Sequence, residues 1–137
     1  MDEAKRELVR NWLLKARHDL EAALDLAEGK EHLLDMAIYH CQQAVEKAFK
    51  GFLAFHDVEI ERTHDVESIA KHAMQFDYSI SEFLVSARLL TPLAWMYRYP
   101  DDEFLVPSRQ EFDQALSAAK NIFDFIITCL GFEDIRL

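Results

Sequence analysis

The sequence predicts an all-α fold, an up-and-down helical bundle of about five helices, and three observations predict it. Apolar residues recur at steps of three and four along most of the chain. Only three glycines and three prolines interrupt 137 residues, too few for a many-turned β architecture. Hydrophobic residues make up 50% of the chain, ten of them phenylalanine, which is ample for a core and leaves little for a disordered tail. Three of the helices reach about 20 residues or more, roughly 30 Å each, so they pack antiparallel with a short extra helix beside them. The length fits one domain, residues 1–137, without repeats or linkers.

Helix one is expected over about residues 3–28, with Leu8, Trp12, Ala16, Leu20, Ala23 and Ala27 inward and Gly29 as its stop. Helix two runs from about Leu34 to residues 55–57 and tolerates Gly51 at some cost. Its apolar seam of Leu34, Ile38, Cys41, Val45, Ala48 and Phe52 occupies a stripe of roughly 80°. After a polar connection over 57–63, Thr63 or His64 opens a short third helix, with Asp65 and Glu67 in its first turn favouring the positive end of the dipole. Helix four begins near Ser79 or Ser81 with Ile80, Phe83, Leu84 and Ala87 inward. Pro92 should kink or restart it near Thr91, and Pro100 should end it. Ser108 reads as the N-cap of the last helix, completed into a capping box by Glu111. That helix has an apolar seam of Phe112, Ala115, Leu116, Ala119, Ile122, Phe123, Ile126 and Leu130, and Gly131 ends it.

A formal charge of −10, from 25 acidic against 15 basic residues, opposes generic binding to nucleic-acid backbones. Any nucleotide or RNA contact then needs a local basic patch. Cys41 and Cys129 both fall on apolar helix faces and read as buried thiols; without a CxxC pair they give no support to a zinc or redox site. No apolar run reaches the roughly 20 residues of a membrane span, and Asp2 and Glu3 depart from a signal peptide's order, so a cytoplasmic protein is expected.

The richest segment is residues 39–50. Opposite the seam of helix two, His40, Gln43, Lys47 and Lys50 form a second stripe with Glu46 at its edge. The plain reading is a solvated face with Glu46 paired to Lys50 at i,i+4. The richer one is an anion or base site with two cationic donors, an amide that can read a base edge, and a histidine that titrates near neutrality. A second constellation is Tyr97-Arg98-Tyr99-Pro100-Asp101, where Arg98 can grip a phosphate or pair with a carboxylate such as Asp101 or Glu46. The third, Thr63-His64-Asp65, reads most simply as a helix start, with His64 capping.

The string from Tyr39 to Lys50 resembles the central motif of the HEPN family, small helical bundles named for a supposed nucleotide-binding role. Arg98-Tyr99-Pro100-Asp101, Thr63-His64-Asp65, and Trp12, Ala16, Asp19 and Leu20 match the same pattern in order and spacing, over about residues 8–130. The apolar surface of helices two and five exceeds what one small bundle can cover, which suits a homodimer. The resemblance implies a HEPN-like four-helix bundle with an extra helix and a partner of the minimal nucleotidyltransferase type in a bacterial two-component system of toxin–antitoxin kind.

HEPN ribonucleases carry an arginine followed, after four to six residues, by a histidine near the start of the last long helix. Here no arginine is so followed: beyond Arg98 those positions hold Glu103, Phe104 and Leu105, and beyond Arg88 they hold Leu93, Ala94 and Trp95. Without that imidazole no obvious base accompanies the arginine, so RNA cleavage is not expected. A di-iron bundle would need Glu-x-x-His on two helices, whereas Glu61 and His64 supply one copy in a loop. Neither a phosphate-cradling glycine loop nor a nucleophile elbow is present. The expectation is a non-catalytic module without metal or cofactor, binding a nucleotide or RNA end at His40, Gln43, Lys47, Lys50 and Arg98. A ribonuclease with a degenerate site and a purely structural helical dimer are the alternatives.

Overall fold

The computed structural model describes residues 1–60, 62–90 and 106–137. Helix α1 spans Glu3–Ala27, capped by the Asp2 side chain, which accepts from the Lys5 backbone N–H. Its buried seam is Val9, Leu13, Ala16, Leu20, Ala23 and Ala27. The N-terminal end of the expected stripe is therefore rotated: Leu8 is exposed and Trp12 half-buried. Apolar side chains stand on both sides here, in Leu8-Val9 and Leu13-Leu14, and periodicity alone does not choose between them. Gly29, at φ +67°, follows the helix in a left-handed conformation that suits glycine.

Helix α2, Leu34–Phe55, is central, since fifteen of its 22 residues are buried. It packs along α1 and against α5, so only a strip of its surface meets solvent. Gly51 has a packing reason: a Cβ there would meet Trp12 Cβ at 3.1 Å and Leu13 Cδ2 at 3.2 Å, so its absence lets α1 approach closely.

Asp65, rather than Thr63 or His64, caps α3 (Val66–Met74) by accepting from the Ser68 N–H. A 3₁₀ turn, Tyr78–Phe83, then leads into the helical residues 84–90 (α4). Ile80 and Ala87 are buried there, with Phe83 and Leu84 half-buried. The expected break near Thr91 and Pro92 and the helix end at residues 98–102 lie outside the described residues. Helix α5, Arg109–Leu130, starts on the Ser108–Glu111 capping box and stops at Gly131, φ +76°. Its seam is buried as expected, with Ile127 added and Leu116 only half-buried. Among the described residues there is no strand, and no helix is long and apolar enough to cross a membrane.

Two expectations change. Cys129 is exposed, its Sγ 3.8 Å from Asp77 Oδ2, because it flanks the α5 seam rather than lying in it; Cys41 alone is buried. The apolar residues of α2 and α5 are also largely covered within one chain, so they leave no surplus face of the kind the sequence suggested. The exposed large apolar side chains include Leu8, Tyr78, Val85 and Leu89 instead.

Gly51→Val should destabilise the fold by about 1–3 kcal/mol, because a branched side chain overpacks the α1–α2 contact. Urea unfolding checks this, and an unchanged midpoint would show that Trp12 and Leu13 can give way.

Candidate functional site

Spacings of three and four bring His40, Gln43, Lys47 and Lys50 to one stripe of α2, and the packing puts buried carboxylates on both of its flanks. Asp19 lies on the α1 side. It is 7% exposed and accepts from Lys47 Nζ at 2.6 Å and pairs with His40 Nδ1 at 2.8 Å. A carboxylate oxygen only accepts, so the shared proton sits on His40 Nδ1. That leaves Nε2 as an acceptor in the neutral ring and a donor in the protonated one.

On the other flank Glu46, 4% exposed, accepts from Lys50 Nζ at 3.2 Å and pairs with His64 Nδ1 at 2.9 Å. Gln42 Nε2 donates to the backbone carbonyl of His64 at 3.3 Å, which fixes the loop ahead of α3 on α2. His64 is thus not a cap. Its side chain is 81% exposed while its inner nitrogen is tied to a buried acid. Between the flanks Gln43 Nε2 donates to the Tyr39 hydroxyl. Lys50 is itself buried, with Nζ 5.8 Å from the centre of the Trp12 ring.

The stripe is therefore real but not cationic. Each lysine faces a carboxylate, so the two lysine charges are countered by the two buried acids. The expected i,i+4 pair of Glu46 and Lys50 is present, yet buried rather than solvated. His40, Gln43, Lys47 and Lys50 come together; Arg98 and its flanking tyrosines lie outside the described residues. The sequence marks Asp19 only through the family pattern, without a partner, and the capping role expected of His64 belongs to Asp65. The signal for Asp19 was an acid inside the Ala16-to-Ala23 seam; the partner of His64 sits 18 residues away, beyond any local pattern.

Burial, with the charge of Asp19 added, pushes the Cys41 thiol up to about 12. Among the described residues no group of three or more His, Cys, Asp or Glu side chains can hold a metal ion. The face can donate and accept hydrogen bonds through two positioned imidazoles and an amide.

A helical bundle whose central helix carries a neutralised polar stripe, with a Thr-His-Asp turn docked against it, defines a class as well as a fold. The HEPN domain pattern matches residues 9–130, and the chain belongs to the HEPN family. In three dimensions it is similar to the crystal structure of an archaeal HEPN homologue, with a TM-score of 0.66 and 25% identity, over 86% of this chain and 93% of that one. No curated protein matches the sequence.

Two outcomes are expected. Glu46→Ala leaves the buried Lys50 unpaired and should cost about 3–5 kcal/mol, whereas the double change Glu46→Leu with Lys50→Met should recover most of it, because it removes both charges. Denaturant unfolding of the variants separates the cases; equal loss in both would mean that the pair's charge is not what matters. In native protein at pH 8 a thiol reagent should label Cys129 and spare Cys41, with both labelled after unfolding. Mass spectrometry locates the label, and rapid native labelling of Cys41 would contradict its burial.

Proposed function

We propose that this chain is a single-domain, non-catalytic HEPN module that binds a nucleotide or an RNA end on the polar stripe of α2. In this reading it acts in the cytoplasm as a homodimer and as partner of a minimal nucleotidyltransferase in a bacterial two-component, toxin–antitoxin-like system. The observation that carries the binding reading is the pair of carboxylate-anchored imidazoles. His40 on Asp19 and His64 on Glu46 are held by their inner nitrogens, a cost in side-chain freedom that a plain solvated face has no need to meet. Held this way, each can offer its outer nitrogen to a phosphate oxygen or a base edge. Gln43 supplies an amide between them, and Arg98, by the family resemblance, would add a bidentate phosphate donor. Membership of the HEPN family supports the nucleotidyltransferase partnership. Exposed Val85 and Leu89 on α4 offer apolar surface for a second copy.

Because Asp19 and Glu46 counter both lysines, binding should weaken only shallowly with added salt, unlike that of a basic patch. Titration calorimetry with a panel of nucleotides and short RNAs should give micromolar-to-millimolar binding at low salt. His40→Ala and Arg98→Ala should each cost about 1–3 kcal/mol of it. Arg98→Lys should not restore binding, since an ammonium lacks the planar fork. Purified protein in EDTA should leave RNA intact. Absence of binding to every nucleotide and RNA at low salt would overturn the proposal, and saturable cleavage lost in Arg98→Ala would replace it with a ribonuclease.

A further inference from the structure

The stripe on α2 does not end at Lys50. Across the α1–α2 seam Lys50 Nζ sits 5.8 Å from the Trp12 ring centre, and Trp12 opens on its other neighbours into a pocket of about 200 Å³ lined by Leu8, Asn11, Trp12 and Lys15. The lining is almost wholly carbon, although the pocket is open to solvent. The four residues share a flank of α1 because spacings of three and four keep them together, and Asp19 continues that flank seven residues, or two turns, beyond Trp12. Since α1 and α2 run antiparallel, their seam carries Trp12 beside Lys50 and, two turns of α1 further on, Asp19 beside Lys47 and His40.

We propose that the Trp12 pocket receives the base of a mononucleotide, with Lys15 taking its phosphate. The pocket lies about two turns of α1 from Asp19, so it is a subsite beside the stripe rather than the stripe itself, and it rests on the nucleotide-binding reading proposed above. The volume lies below the roughly 300–1,000 Å³ of sites for drug-sized ligands, so it suits one flat ring system with its sugar and phosphate outside. An indole beside aliphatic Leu8 is a stacking surface that any base can use, because stacking needs a flat face rather than a particular donor pattern. Lys50 does not compete for the phosphate, being paired with Glu46. Lys15 is exposed and, among the described residues, has no ion-pair partner. It stands about one helical turn, ~5 Å, along α1 from Trp12. That places one uncommitted cation beside one flat apolar pocket. A chain of charge −10 repels a polyanion more than it repels one nucleotide, which favours the mononucleotide over a longer strand.

The test uses the full chain carrying Trp95→Phe, so that fluorescence reports Trp12 alone, titrated with AMP, adenosine, ribose 5-phosphate and a tetraribonucleotide. AMP and adenosine should quench Trp12 and ribose 5-phosphate should not. In calorimetry Trp12→Leu should weaken AMP binding roughly ten- to hundredfold, the range for loss of one stacked base. Lys15→Ala should weaken AMP while leaving adenosine unchanged. Should Trp12→Leu disturb the Gly51 contact and fail to fold, the quenching series and Trp12→Phe, which keeps a stacking ring and should retain binding, still decide the matter. Calorimetric AMP binding without quenching, and unchanged in Trp12→Leu, would overturn the pocket while leaving the binding reading intact. Quenching by the tetramer alone would overturn the mononucleotide. If nothing binds, by heat or by fluorescence, the pocket and the proposed function fall together.

Discussion

Two carboxylates that the bundle buries, Asp19 and Glu46, govern the arrangement of everything polar around α2. An ionised acid removed from water must find a counter-charge and hydrogen bonds, or the fold loses several kcal/mol. Asp19 finds both on α2, and the two partners are seven residues apart, His40 and Lys47, so the acid bridges two turns of the facing helix. Such a bridge fixes register. Sliding α1 by one turn would carry Asp19 beyond reach of one partner, while the alanine-rich seam of Ala16, Ala23 and Ala27 resists sliding only weakly. Gly51 sets the separation of the same two helices through its contact with Trp12 and Leu13. Together they define how α1 lies on α2. Glu46 does the same work for the loop before α3, holding His64 while Gln42 holds that residue's carbonyl.

The same constraint decides the electrostatics of the surface. A stripe with two lysines and a histidine looks basic in sequence, and in a protein of charge −10 it looks like the place where an anion would dock. Packing reverses that inference, because the lysines serve the buried acids. What faces outward is Gln43 and the outer edges of two imidazoles whose inner edges are occupied. Recognition on such a surface relies on directed hydrogen bonds and flat contacts more than on field strength. Direction is what the anchored rings provide.

Much of the fold was legible because its signals are local. The capping box of Ser108 and Glu111, the left-handed Gly131, and the period of α2 and α5 each lie within one or two turns of chain, so pattern and structure agree. The departures share a cause. Leu8 against Val9, and Leu13 against Leu14, are local ties that only the direction of α2 breaks. His64 was read as a cap because its true partner, Glu46, is on another helix. Cys129 was placed inside because its neighbours Ile126 and Leu130 are inside, yet the face it occupies turns towards Asp77. The candidate site was legible as a set of residue types and spacings. Its charge was not, since that depends on an acid 21 residues from His40 and 28 from Lys47.

The pairing of Lys47 and Lys50 with buried acids bears on what kind of ligand can discriminate this surface from any other. A phosphate alone would find Lys15 at the pocket, since Lys47 and Lys50 are paired, and an exposed lysine holds an anion weakly in water. A base alone would find Trp12 and Leu8, an apolar contact with modest geometric demand. Joined in one molecule, the two halves meet features about a helical turn apart on one helix, α1. The second contact is then made without a second loss of translational freedom, which is how two weak subsites become one specific site. A structural interface would need neither an uncommitted cation beside the pocket nor imidazoles fixed by their inner nitrogens. A ligand with a flat ring and a single anionic group makes use of the cation and the pocket together.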